Sequence, residues 1–258
     1  MSNLTKHLHR YDAPSLLALQ KAISGESKRR AAATSLISFT EYTYPRYQAG
    51  SIHHQIAEQL ERVARDEVDR LMLLVPPRHG KSELASRRFP AWYLGRHPDK
   101  QFISASASFA LAEDFGRDVR NLMNSSEYQE IFETKLAEDS QARGRWTTSE
   151  GGSYFATGVG GALMGRGAHV GCSLTTRSAA WPTPAVNIKR KEVHDWYTGT
   201  CYNRLENNGK IIVINHRMHQ DDLSGRLLAQ QAAGGDQWTV VELKAVSPGR
   251  CVVAGEIR

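Results

Sequence analysis

Two kinds of apolar pattern alternate along this chain. Leu71-Met72-Leu73-Leu74-Val75 and Ile211-Ile212-Val213-Ile214 are short unbroken runs, which predict strands buried on both faces. Residues 101–105 read as a further short strand, and residues 146–156 alternate like a hairpin. Between these lie stretches of helical period. Residues 53–68 carry Ile56, Leu60 and Val63 on one side, and residues 82–94, 111–123 and the segment after Lys189 through Trp196 to Leu205 read likewise. A capped helix is expected over residues 12–21, opened by Asp12 and Pro14, with a polar, basic break at 25–30. Residues 39–50 are aromatic-rich and read as irregular. Strands alternating with helices predict an α/β fold with a mostly parallel central sheet covered on both faces. There is no internal repeat.

Composition narrows this little. The chain has 258 residues, 40% hydrophobic and 23% charged, enough for one sizeable core and against wholesale disorder. A net charge of +6 favours an anionic partner such as nucleic acid without requiring one. The three cysteines, Cys172, Cys201 and Cys251, have no zinc spacing and suit a reducing compartment. No apolar run approaches a membrane span and the start lacks a secretory core, so the expected location is cytoplasmic, with no membrane partner.

The chemistry concentrates in Pro76-Pro77-Arg78-His79-Gly80-Lys81-Ser82, directly after one buried strand and before a helix. Nucleotide phosphates need backbone N–H groups, a lysine for the β/γ charge and a hydroxyl for Mg²⁺. Gly80 permits close backbone approach, Lys81 supplies the cation, Ser82 the metal ligand, and the helix start its dipole. The usual first glycine is missing, since Val75 stands at that spacing.

With its flanks, this loop resembles the deviant Walker A of phage terminase large subunits, in which an early basic residue, here Arg78, replaces part of the glycine pattern. Tyr44-Pro45 with His53-His54-Gln55 is similar to the family's adenine-side segment. Ser104-Ala105-Ser106 and the helix after it resemble its second strand and helix, and Gly158 to Ala168 its approach to Walker B. Ile211 to Ile214 with His216-Arg217, His219 and Asp221-Asp222-Leu223 resembles its coupling segment. The likeness runs over about residues 39–228. It implies a three-layer P-loop NTPase of the additional-strand type, with a helical leader and adenine-side segment over 1–50 and an ATPase domain over 51–258. The implied ligands are ATP, through Gly80, Lys81, Ser82, His79 and Gln55, and Mg²⁺, through Ser82. Arg78 and Arg217 are the implied catalytic side chains. The implied partners are double-stranded DNA, the portal protein and the small terminase subunit, in a ring of identical copies acting transiently at the procapsid portal. The family's nuclease domain is expected to be absent, and with it DNA cutting.

One part of the pattern fails. Walker B should follow as an apolar run ending in acids, one supporting Mg²⁺ and one activating water. The place reads His169-Val170-Gly171-Cys172-Ser173-Leu174-Thr175-Thr176-Arg177, and no Asp or Glu occurs between Glu150 and Glu192. Ser173, Thr175 and Thr176 also predict a poor buried strand. A local frame slip accounts for this: codons compatible with Gly171 to Arg177, read from the third base, permit Leu-Leu-Ile-Asp-Asp-Pro. Arg250 to Arg258, read from the second base, permits Ala-Leu-Trp-Pro-Glu-Arg, which resembles the segment after the family's ATPase domain. The alternative is true divergence, with Asp221 and Asp222 as available acids.

Weak or absent hydrolysis is therefore expected. A different P-loop NTPase and a non-enzymatic remnant of a decaying prophage remain as other readings. Lys28-Arg29-Arg30 and Arg87-Arg88 read first as solvated faces and second as contacts to a phosphate backbone. Trp92, Trp196 and Trp238 read as core.

Overall fold

A computed structural model describes residues 13–163, 165, 167–176, 184–217, 219–243 and 252–254. Its helices are α1 (Ala13–Thr34), α2 (Leu36–Thr43), α3 (Ser51–Ala64), α4 (Phe89–Arg96), α5 (Phe109–Met123), α6 (Ser126–Gln129), α7 (Pro184–Trp196) and α8 (Leu223–Ala232). Its strands are β1 (Arg70–Leu74), β2 (Gln101–Ser106), β3 (Leu136–Ala142), β4 (Arg145–Thr148), β5 (Ser153–Gly158), β6 (Ala168–Thr176), β7 (Leu205–Asn215), β8 (Thr239–Glu242) and β9 (Val252–Ala254). They form one mixed sheet in the order β3-β4-β5-β2-β6-β7-β1-β8-β9. Every neighbouring pair from β5 to β8 is parallel, and the antiparallel pairs lie at the two edges.

β1 shows why the sheet has three layers. Its residues are all apolar after Arg70, and successive side chains point to opposite faces. Leu71 and Leu73 join a core with α2, α3, α4 and α5, whereas Met72 and Leu74 join another with Trp196, Leu223 and Leu227. Trp92, Trp196 and Trp238 are all buried, as core aromatics should be.

Several elements differ from the sequence expectation. The 25–30 stretch is no break, since α1 runs through it. Glu26 reaches Arg29 at 2.5 Å and Arg30 at 2.7 Å, so one carboxylate bridges the next helical turn and the alanines after it continue the helix. Of the residues read as irregular, 39–43 are helical, the end of α2, while 44–50 lie in no helix or strand; Ser35 caps α2 by accepting from Ser38 N–H, and Phe39 packs against Tyr128 and Phe132. Burial of Leu36, Ile37 and Phe39 outweighs the modest helix propensity of that stretch.

The helix expected at 82–94 begins with a π-helical stretch, Glu83–Arg88, before α4. Pro90 has no N–H to give the Ser86 carbonyl four residues back, and widening the preceding turns accommodates its ring. β6 is the sharpest difference. Ser173, Thr175 and Thr176 argued against a buried strand, yet the strand extends to Thr176 and pairs on both sides. Thr175 stands opposite Ile214 on β7 and Ser106 on β2, and Thr176 opposite Asn215. Backbone pairing with two neighbours outweighs the local preference of that sequence.

Candidate functional site

β1 delivers the chain to the carboxyl edge of the sheet, where open α/β sheets bind ligands. Val75 N–H donates to the Asn215 carbonyl at 3.2 Å, which fixes the loop's entrance against the end of β7. The loop then turns through two left-handed residues, Arg78 at φ 63° and Gly80 at φ 71°. Alternating hand along a short segment turns successive N–H groups toward one concavity. Gly80 has a second reason to be glycine: a Cβ there would lie 2.5 Å from His53 Nε2. At Arg78 no such exemption exists, and the residue sits in a conformation that L side chains rarely adopt.

Helix begins at Lys81, and Leu84 N–H donates to the Gly80 carbonyl at 3.1 Å. The Lys81 side chain is buried, and its ammonium donates to the loop's own Pro76 carbonyl at 3.0 Å. Burial lowers its pKa from the ordinary lysine value. A buried cation with one neutral acceptor suits an anion entering the loop. His79 folds back on the Pro77 carbonyl at 2.8 Å. Ser82 follows in the first helical turn. The expected residues Arg78, His79, Gly80, Lys81 and Ser82 are thus gathered on one turn.

Gln55 and Arg217 come from other elements. Gln55 lies on α3, and its buried Oε1 has no hydrogen-bond partner among the described residues. Two residues earlier in the same adenine-side segment stands His53, for which the sequence pattern alone gives no individual role. His53 Nδ1 accepts from Gly50 N–H at 2.9 Å, and the ring packs on Tyr47 at 5.4 Å and against Gly80. Burial lowers the His53 pKa and pushes the Tyr47 hydroxyl up to about 12. His53 is neutral near pH 7 and acts as a prop under the loop. Its sequence signal was the position three residues after Gly50, where a side chain can return to the helix's first free N–H.

Arg217 leaves β7 beside the loop, and its Nε lies 3.2 Å from the Asp222 carboxylate. His216 before it has a lowered pKa, first from burial and then from the charge of Lys81, so this segment adjoins the loop. The acids offered as substitutes for Walker B are engaged elsewhere. Asp221 pairs with Arg226 through two contacts of 2.8 Å. Asp222, 1% exposed, caps α8 by accepting from Gly225 N–H at 2.8 Å. At the end of β6 the chain places threonines. Among the described residues, no group of three or more His, Cys, Asp or Glu could hold a metal ion.

The arginines after the loop are paired with acids. Arg87 pairs with Asp118 at 2.8 Å, while Arg88 pairs with Glu83 at 2.7 Å and lies 5.3 Å from the centre of the Tyr44 ring. No described helix is long and apolar enough to cross a membrane.

Fold and loop together define a class: a mixed α/β protein with a strand–turn–helix loop at the carboxyl edge of its parallel strands. Residues 72–174 match the family model described as terminase large subunit, T4likevirus-type, N-terminal. This independent match bears out the resemblance to phage terminase large subunits and spans the loop, β2, β5 and most of β6. No curated protein matches the chain. Among solved structures it is similar to the large terminase of bacteriophage HK97, with a TM-score of 0.49 and 13% identity over 79% of this chain and 42% of that one. The chain therefore spans less than half the length of that terminase.

Proposed function

We propose that this chain is the ATP-binding part of a phage DNA-packaging motor, built on a P-loop fold of the additional-strand type, and that it hydrolyses ATP very weakly. The observation that carries the reading is the buried Lys81 ammonium at the mouth of the left-handed turn, which among the described residues donates to Pro76 of its own loop. Supporting it, β7 lies between the loop strand β1 and β6. The loop N–H groups, Lys81 and the Ser82 hydroxyl would hold the phosphates of ATP with its Mg²⁺, which supplies the phosphoryl group for transfer to water. Arg78 neutralises charge on the terminal phosphate, Gln55 offers its unpartnered Oε1 toward the base, and Arg217 transmits the state of the site. Double-stranded DNA, the portal protein, the small terminase subunit and further copies in a ring are the partners proposed with this role.

Weak turnover follows from β6. Among the described residues, no carboxylate belongs to its carboxyl end to activate water, and the two nearby aspartates are committed to Arg226, Arg217 and the α8 cap. The same observation favours a second reading, a nucleotide-binding remnant without motor activity. Melting with and without ATP and Mg²⁺ tests the binding claim: nucleotide raises the midpoint of the native chain and leaves Lys81→Met unchanged. An equal rise in both would refute the site. Lys81→Met also has a sign of its own. Burial holds the folded pKa of Lys81 below its unfolded value, so keeping the ammonium charged at neutral pH costs the folded chain stability. Without nucleotide, the variant is expected to melt higher, by a few degrees for about 1 kcal/mol.

A further inference from the structure

We propose that Asp222 is a positioning residue: it sets the Arg217 guanidinium so that this arginine reads the terminal phosphate of the nucleotide. The inference deepens the proposed function and rests on it.

Asp222 is almost completely buried, and both carboxylate oxygens are held. Oδ1 accepts from Gly225 N–H at 2.8 Å; Oδ2 accepts from Asn215 Nδ2 at 3.3 Å and lies 3.2 Å from Arg217 Nε. Asn215 Nδ2 also donates to Ser224 Oγ at 3.0 Å, and the Asn215 carbonyl accepts from Val75 N–H at the loop's entrance. A fixed carboxylate is thus bolted to the phosphate loop on one side and faces the arginine on the other. Gly225 keeps the clamp open, since a Cβ there would come within 3.1 Å of Arg217 Nη2 and collide with the Gln220 carbonyl. The Arg217 side chain stays 31% exposed, so its fork remains within reach of the edge where the loop opens.

Helix capping alone does not require this residue to be charged. Asparagine caps a helix as well as aspartate does. A buried carboxylate is costly to desolvate, and here its compensation is the facing guanidinium. The charge is what a positioning role needs and a cap does not.

Asp222→Asn therefore separates the two roles, because it keeps the cap and removes the charge. The readout is the ratio of ATP to ADP affinity of the full chain with Mg²⁺, measured with fluorescent nucleotide analogues. A guanidinium–phosphate contact contributes about tenfold or more to that ratio. Arg217→Gln is expected to lower the ratio by that factor, Asp222→Asn to lower it similarly, and the double variant to go no further. If Arg217→Gln leaves the ratio unchanged, the proposed role of Arg217 fails and this inference with it. If Arg217→Gln lowers the ratio and Asp222→Asn does not, the positioning claim alone is overturned. Should Asp222→Asn fold poorly, the double variant decides. Removing the stranded guanidinium restores folding if the two side chains interact, and a double variant that melts no higher than Asp222→Asn rejects the pair.

Discussion

At Arg78 the loop holds a bulky residue at φ 63°, where glycine would sit without strain. Left-handed backbone costs an ordinary residue about 1–2 kcal/mol, partly offset by the entropy that glycine loses on folding. Arg78→Gly is therefore expected to stabilise the nucleotide-free chain by up to about 1 kcal/mol and to weaken ATP binding. Opposite signs in melting and in titration are the test; a variant that loses both would show that the arginine is merely structural. Gly80, Lys81 and Ser82 were legible in the sequence because their chemistry is local and ordered. His53 and Asp222 were legible only as members of the adenine-side and coupling segments; their contacts were not, because these reach across the fold. His53 touches a glycine on another element, and Asp222 joins α8 to the end of β7. The Asp222 cap could have been inferred from the apolar Leu223 and Leu227 that follow it; its arginine could not.

At the level of elements, α1 shows how charge pairs carry a helix through a glycine. Gly25 lies inside α1, and a methyl group added there would meet nothing within 4 Å. Gly25→Ala should therefore stabilise the chain by about 0.5–1 kcal/mol, read as a rise in melting temperature. β6 makes the stronger prediction. Thr175 and Thr176 stand at its carboxyl end, opposite Ile214 and Asn215. Thr175→Asp with Thr176→Asp restores acids where the alternate frame permits them. Steady-state hydrolysis should rise by at least about a hundredfold, the low end of what a positioned base contributes. Asparagine at both places is the control and should leave the rate at background. A rate unmoved by the aspartates would remove the missing carboxylates as the cause of weak turnover. The buried strands β1 and β7 were legible because an unbroken apolar run has few other homes. α2 and β6 were not, since tertiary burial and two flanking ladders outweighed their local propensities.

For the whole molecule, acid sensitivity follows from histidines. His53, His97, His169 and His216 all have pKa values lowered mainly by burial. Burial thus favours the neutral imidazole in the folded chain, whereas in the unfolded chain each takes up a proton near the ordinary histidine value of 6.5. Folding stability should therefore be full above that value and fall as pH drops through it. Asp221, Asp195 and Glu67 have pKa values lowered chiefly by arginine or lysine hydrogen bonds, and their contribution disappears only in more acid solution. Denaturant midpoints at pH values of about 7.5 and about 5.5 measure the histidine part alone, before the carboxylates titrate. No change across that interval would mean that these imidazoles stay solvated.

The interposed strand β7 has a last consequence. Because β1 and β6 do not touch, the loop proposed to hold a nucleotide and the strand end proposed to lack its acids are about 10 Å apart, two strand spacings, on separately encoded stretches of chain. Damage confined to β6 leaves the anchorage at Val75 intact, for that is made to Asn215. Such an architecture degrades unevenly: it loses the capacity to turn over long before it loses the capacity to hold. On the proposed function, a copy damaged in this way would hold its nucleotide and stay silent.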